Sequence, residues 1–156
     1  MVTFTTTSSQ ELLERTIDKF WETIPPLWNH IKGNLRSIAT DQFGISVEQF
    51  HILRHIRRGL GSVSELANVR QISRPAISQA VDVLVDKGLI LRCQSDADRR
   101  YIRLELTPDG DHLLNAIFEK NRAWMASKLT GLSPEESEHI IQALDLLKLC
   151  FDEEQA

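Results

Sequence analysis

Apolar residues recur along this 156-residue chain with two different periods, and the change between them marks out its elements. Between residues 9 and 31, Leu13, Ile17, Phe20, Trp21, Ile24, Leu27, Trp28 and Ile31 fall in steps that draw the stripe of an amphipathic helix. Ser8 with Glu11 reads as its capping box. Pro25-Pro26 predicts a kink or a division into two helices, and Gly33 predicts an end. The stretch ISVEQFHILRHIRRG (45–59) returns to the helical period, with Ser46 as N-cap, Gln49 at the third helical position, and Phe50, Leu53 and Ile56 facing inward. SVSELANVR (62–70) is a short helix opened by a second box, Ser62 with Glu65. A brief turn leads into ISRPAISQAVDVLVDKGLI (72–90), a helix carrying Pro75 in its first turn. The period then drops to two. Leu89, Leu91 and Cys93 alternate with Ile90 and Arg92, and Ile102, Leu104 and Leu106 with Tyr101, Arg103 and Glu105, which predicts a β-hairpin around the loop QSDADRR. Thr107-Pro108 opens a helix running to about Leu129. Ser133-Pro134-Glu135-Glu136 opens a last one, striped by Ile140, Ile141, Leu144, Leu147 and Phe151.

Helix, short helix, turn, helix and hairpin, in that order, make a helix-turn-helix followed by a wing. The helix after the turn fits that role. Ser73, Arg74, Ala76, Ser78, Gln79 and Asp82 fall towards one side, and Ile77, Val81, Leu84 and Val85 towards the other. A helix that had only to be soluble would carry Lys and Glu outside. Small side chains instead let a helix approach base edges in a major groove about 12 Å wide. Hydroxyl, amide and guanidinium groups can then read those edges, and the free amides beyond an N-cap at Ser73 suit a phosphate. Arg99 and Arg100 fall at the tip of the hairpin, where a guanidinium can enter a narrow A·T-rich minor groove. Asp98 is expected to brace one of them. Alone, DADRR would read as a solvated turn with surface ion pairs; beside a helix-turn-helix the DNA reading takes over.

Net charge changes the picture only when it is located. The chain is −4 overall, which argues against nucleic acid. Residues 51–103, however, hold ten Lys/Arg against five Asp/Glu, so the middle is +5 and the remainder −9. No apolar run approaches the ~20 residues of a membrane span, and MVTFTTTSSQ lacks the features of a signal peptide, so the expected location is the cytoplasm. Cys93 and Cys150 form no CxxC and are expected as free thiols, Cys93 being the one whose oxidation could reach the wing. His51 and His55, four apart with Glu48 on the same side, have a spacing that zinc can use, but there is no HExxH. Hydrogen-bonded or solvated histidines are expected, with no metal and no cofactor. Without a phosphate-cradling glycine loop, a GxSxG or a nucleophile–base pairing, no catalytic residues are expected.

The segments SVSELANV, ISRPAISQAVDVLVDKGLILR, DADRR and IRLELTPDG, in this order, resemble the MarR (multiple antibiotic resistance regulator) family of winged-helix repressors. The family's wing carries an Asp-Pro-x-Asp-Arg-Arg run, then a strand, then a Leu-Thr-x-x-Gly helix start. Asp98-Arg99-Arg100 and Leu106-Thr107-Pro108-Asp109-Gly110 match, while Ser95 and Asp96 stand in place of Asp-Pro. The likeness implies a mainly α (α+β) fold. Terminal helices, 9–42 and 107–156, would form a helical dimerisation domain around a winged helix-turn-helix lobe at 45–106. It implies a homodimer on double-stranded DNA, a ligand-responsive repressor of a pseudo-palindromic operator. The apolar stripes of the terminal helices agree independently, being richer than a small winged domain needs. In that frame Ser73, Arg74, Ala76, Ser78 and Gln79 face major-groove edges and nearby phosphates. Arg100 enters the minor groove, Arg99 contacts or supports the backbone, and Asp98 braces the tip. Trp21, Trp28 and His30 fall where the family often binds small aromatic or anionic effectors, although an aromatic stripe at helical spacing also suits a core or a dimer interface. The alternative function is a winged-helix module for protein–protein contact, binding DNA only weakly and without sequence preference.

Overall fold

The structure, a computed structural model, describes residues 5–94 and 102–152. These form six α-helices and a two-stranded antiparallel sheet: α1 (Thr5–Ser37), α2 (Val47–Arg57), α3 (Val63–Arg70), α4 (Arg74–Asp86), β1 (Ile90–Gln94), β2 (Ile102–Leu106), α5 (Pro108–Leu129) and α6 (Pro134–Asp152). A π-helical turn, Ile38–Gln42, follows α1. The mainly α fold with a two-stranded wing is therefore as expected.

Local chemistry sets the helix starts. Ser46 accepts from the Gln49 amide while the Gln49 side chain accepts from the Ser46 amide, and Ser62 with Glu65 does the same. Ser133 and Glu136 repeat the exchange at α6. The first helix departs from expectation. Its range starts at Thr5, so Ser8 lies inside it and caps nothing, and it runs through Gly33 to Ser37. Pro25 and Pro26 lie within one uninterrupted helix. Each proline lacks the amide that would bond four residues back, and its ring crowds that carbonyl, yet the helix does not divide there.

The core of the lobe gathers Ile45, Phe50, Ile52, Leu53, Leu66, Ile77, Val81, Leu84, Ile90 and Leu104, all essentially excluded from solvent. Ile38 and Ala39 join it from the π turn, and Leu114 and Ile117 from α5. Phe50 and Phe118 meet edge to face at 5.6 Å.

The wing's inward face differs from the alternation read in the sequence. Ile90 pairs with Leu106 and Arg92 with Leu104, so Ile90, Arg92, Leu104 and Leu106 share a face. Ile90 is fully buried, whereas Leu91 is 53% exposed. Leu89, Ile90 and Leu91 are all apolar, so their pattern alone could not say which one the helices cover. The Leu104 amide also donates to the Gly61 carbonyl at 2.7 Å, tying the loop before α3 to β2.

A clamp joins the wing to α5. The Thr107 hydroxyl donates to the Gly88 carbonyl at 2.7 Å and accepts from the Gly110 amide at 3.0 Å, while the Thr107 amide donates to the Leu89 carbonyl. Gly88 takes φ +69°, the left-handed conformation that glycine adopts without strain.

By contact the chain divides into two units, Met1–Asn121 and Arg122–Ala156, the boundary falling within α5. The first holds the winged lobe and α1. The second holds the end of α5 and α6, along which Ile140, Ile141, Leu144, Leu146, Leu149 and Phe151 are exposed.

Candidate nucleic-acid interface

The turn between α3 and α4 aims the recognition helix. Gln71 adopts φ 54°, ψ 40°, ending α3 in a left-handed cap, and its amide and that of Ile72 return to the last turn of α3. Ser73 then restarts the helix, its hydroxyl accepting from the Ala76 amide at 3.4 Å, with Pro75 in the first turn, where a missing amide costs nothing. Ile77, Val81 and Leu84 anchor one side of α4 in the core. Ser73, Arg74, Ala76 and Gln79 are exposed. Four of the five residues expected to meet DNA are thus exposed.

The fifth, Ser78, is half-buried, one helical turn beyond Arg74. It lines an open groove of about 350 Å³ with Ser62, Val63 and Ser64 from the start of α3 and Arg92, Ile102 and Leu104 from the hairpin. Arg92 also ion-pairs with Asp82 of α4 at 2.5 Å, which ties the wing to the recognition helix. By spacing alone Asp82 falls on the outer side of α4. Its partner lies ten residues on, in a strand, and only the packing brings the two together. The pair is half-exposed, so Asp82→Asn is expected to lower global stability by less than about 1 kcal/mol. Amide exchange in residues 90–94 and 102–106 should nevertheless rise. If exchange in the hairpin stays as in the parent protein, the pair does not hold the wing.

Asp98, Arg99 and Arg100 lie outside the described residues. The last register pair before them is Gln94 with Ile102.

The basic middle of the chain is partly committed to carboxylates. Arg57 reaches Asn115 at 2.8 Å and Asp111 at 3.5 Å, and lies over the Phe118 ring. Arg70 makes a two-pronged pair with Glu48 at 3.0 and 2.9 Å, a hydrogen bond that raises its proton affinity further. Arg103 lies 3.7 Å from Glu105. The zinc spacing on α2 is compromised by the same pairing, because both Glu48 oxygens serve Arg70. Among the described residues no group of three or more His, Cys, Asp or Glu is arranged to hold a metal ion.

The MarR family model matches residues 43–100, the segment from the end of the π turn to the wing. The uncharacterized HTH-type transcriptional regulator YpoP of Bacillus subtilis is 30% identical over 122 residues, covering 78% of this chain and 85% of YpoP. The chain belongs to the MarR family. The HTH-type transcriptional repressor MdtR of Bacillus subtilis is 33% identical over 99 residues, spanning 63% of this chain and 64% of MdtR's own length. A solved MarR family protein from Bacillus stearothermophilus superposes with a TM-score of 0.76 at 23% identity, over 87% of this chain and 95% of that one. This MarR-family chain is a DNA-binding transcription regulator with a winged-helix fold.

The regulator's α1 separates the aromatic group expected to mark an effector site. Trp21 and Trp28 are exposed and seven residues apart, hence on one side of the helix. His30 is about 200° further round from Trp28, so α1 does not bring all three together. Lys32 stands over the Trp28 ring at 5.4 Å, and Phe20 meets Trp21 edge-on at 5.9 Å. Cys93 is half-exposed, its thiol donating to Glu105 at 3.8 Å. Partial burial, then Glu105, pushes that thiol above its usual pKa, which reduces the thiolate that oxidants attack.

Proposed function

We propose that this MarR-family regulator is a homodimeric repressor that reads a pseudo-palindromic operator and is released by a small effector. The observation that carries DNA reading is the face of α4: a capped first turn, then Arg74, Ala76 and Gln79 exposed without bulk, beside a hairpin held to the same helix by Asp82 and Arg92. The backbone amides of that first turn favour phosphate, and the side chains favour base edges. Ser78 acts from the groove, while Asp98, Arg99 and Arg100 extend the contact into the minor groove.

Exposed apolar side chains support the homodimer. Leu12, Leu13, Ile17, Trp21, Leu27 and Trp28 on α1 and the apolar row on α6 are more than an isolated surface helix carries. Family membership implies that a second copy covers them. Repression is supported by the likeness to MdtR, named a repressor. Exposed Trp21 and Trp28, with Lys32 over one ring, suit a small aromatic or anionic effector. A protein that reads operators acts in the cytoplasm, and nothing in the proposed role calls for catalysis.

Selection of random duplexes by the purified protein at about physiological salt tests the reading, since affinity depends on salt. Recovery of a pseudo-palindrome with half-sites about one helical turn apart is expected. Failure to enrich any sequence, in protein freed of bound small molecules, would favour a winged module for protein contact instead.

A further inference from the structure

The first turn of the recognition helix carries no buried side chain. Ser73, Arg74, Pro75 and Ala76 are all exposed, and the first residue of α4 held in the core is Ile77. That turn is therefore placed from behind, by the end of α3 and the left-handed Gln71 that leads out of it. Helix α3 is only eight residues long, and its buried side chains are two neighbours near its middle, Leu66 and Ala67. Val63 and Ile72, partly buried, add contact on either side. Apolar burial is non-directional, so these contacts hold the helix down without fixing where it points. Its start is held by the Leu104 amide, which donates to the Gly61 carbonyl at 2.7 Å. Its end is held by Arg70, whose Nε and Nη2 donate to the two oxygens of Glu48 on α2 at 3.0 and 2.9 Å. The two side chains are only 27% and 29% exposed. A planar fork on a planar carboxylate fixes orientation as well as distance.

We propose that Arg70 and Glu48 are positioning residues for operator reading: their fork holds the end of α3 on α2 and so places the turn that begins at Ser73, three residues further on, against the base edges. The inference rests on the reading of α4 as the base-contacting helix, and adds two residues that act through that helix. The fork also neutralises charge, since Arg70 joined to Glu48 offers no net positive charge to a phosphate backbone. Breaking the pair therefore has two effects of opposite sign. The released guanidinium strengthens attraction to any duplex, because that attraction follows charge and not sequence. The loosened turn weakens discrimination, because contacts to base edges depend on placement. A pair that served only charge would give the first effect alone. A pair that served only folding would lower the binding-competent fraction and weaken all duplexes alike.

Competition titrations of the full chain with a selected operator duplex and with a random-sequence duplex, at several salt concentrations, read both effects. The parent protein should prefer the operator. In Glu48→Gln that preference should fall by about 10-fold, the worth of one base contact, while binding to the random duplex holds or rises and its salt slope steepens by up to about 1. Arg70→Lys keeps the charge but cannot make the fork, so preference should fall there with random-duplex binding unchanged. Glu48→Gln combined with Arg70→Gln should lose no more preference than Glu48→Gln alone, since the pair is already broken. Amide exchange of the free protein adds a readout without DNA. In both single variants it should rise at Gln71, Ile72 and Ala76, whose amides are bonded within the turn, and stay as in the parent at Val81 and Leu84. Unchanged preference in Glu48→Gln and Arg70→Lys, or a fall shared equally by the two duplexes, overturns the positioning role while leaving the operator reading intact. A parent protein without preference overturns the operator reading itself, and this proposal with it.

Discussion

Gly110→Ala should destabilise the winged lobe by about 2–3 kcal/mol, more than a typical surface substitution by a wide margin. A Cβ at this position would lie 2.1 Å from the Leu89 carbonyl oxygen and 2.9 Å from Leu106 Cδ2. That carbonyl is backbone, and it accepts from the Thr107 amide, so it cannot swing aside like a flexible side chain. Relief requires the start of α5 to retreat from the α4–β1 turn. The Thr107 hydroxyl would then lose Gly88 or the Gly110 amide, and Leu114 and Ile117 would shift in the core. Urea denaturation measures the loss. Gly131→Ala is the control, since its Cβ meets nothing within 4 Å and its stability should change by no more than about 0.5 kcal/mol. A loss below about 1 kcal/mol for Gly110→Ala would mean that the Leu-Thr-x-x-Gly run is no clamp. The same geometry explains why this wing-to-helix junction needs glycine: the requirement is close approach, not a left-handed φ.

Arg100→Ala should weaken operator binding by roughly 1–3 kcal/mol, a factor of about 5 to 150, with the dimer intact. Charge accounting favours a large effect. Arg57, Arg70, Arg92 and Arg103 each serve a carboxylate, which leaves fewer cations uncommitted than the sequence suggests. Competition titrations at several salt concentrations would separate the two roles of Arg100. A minor-groove contact loses its preference for A·T-rich flanks, whereas a pure phosphate contact weakens all sequences alike and lowers the salt slope by about 1. If Arg100→Ala binds as the parent does while Arg74→Ala is weakened, the wing does not take part in recognition.

Short-range signals account for what was legible. The boxes at Ser46–Gln49, Ser62–Glu65 and Ser133–Glu136 each close over three residues, so side chain and amide meet whatever the rest of the chain does. The order of elements, the N-cap at Ser73 and the small outer face of α4 follow from equally local rules, and they carried the family likeness. The false box at Ser8 shows the limit of such rules: the residue types were right, but a box caps only a helix that begins there, and α1 begins earlier.

Other features depended on packing. The Asp82–Arg92, Glu48–Arg70 and Arg57–Asp111 pairs are separated by 10, 22 and 54 residues, and no periodicity announces them. The same holds for the face of β1 that turns inward and for the groove that Ser78 lines with α3 and the hairpin. Sequence by itself determined where helices and strands form and which side of α4 is small, because those depend on neighbours a few residues apart. Tertiary structure alone decided which charges are committed to one another, because Coulomb and hydrogen-bond energies depend on distance in space, and distant segments acquire that distance only by folding.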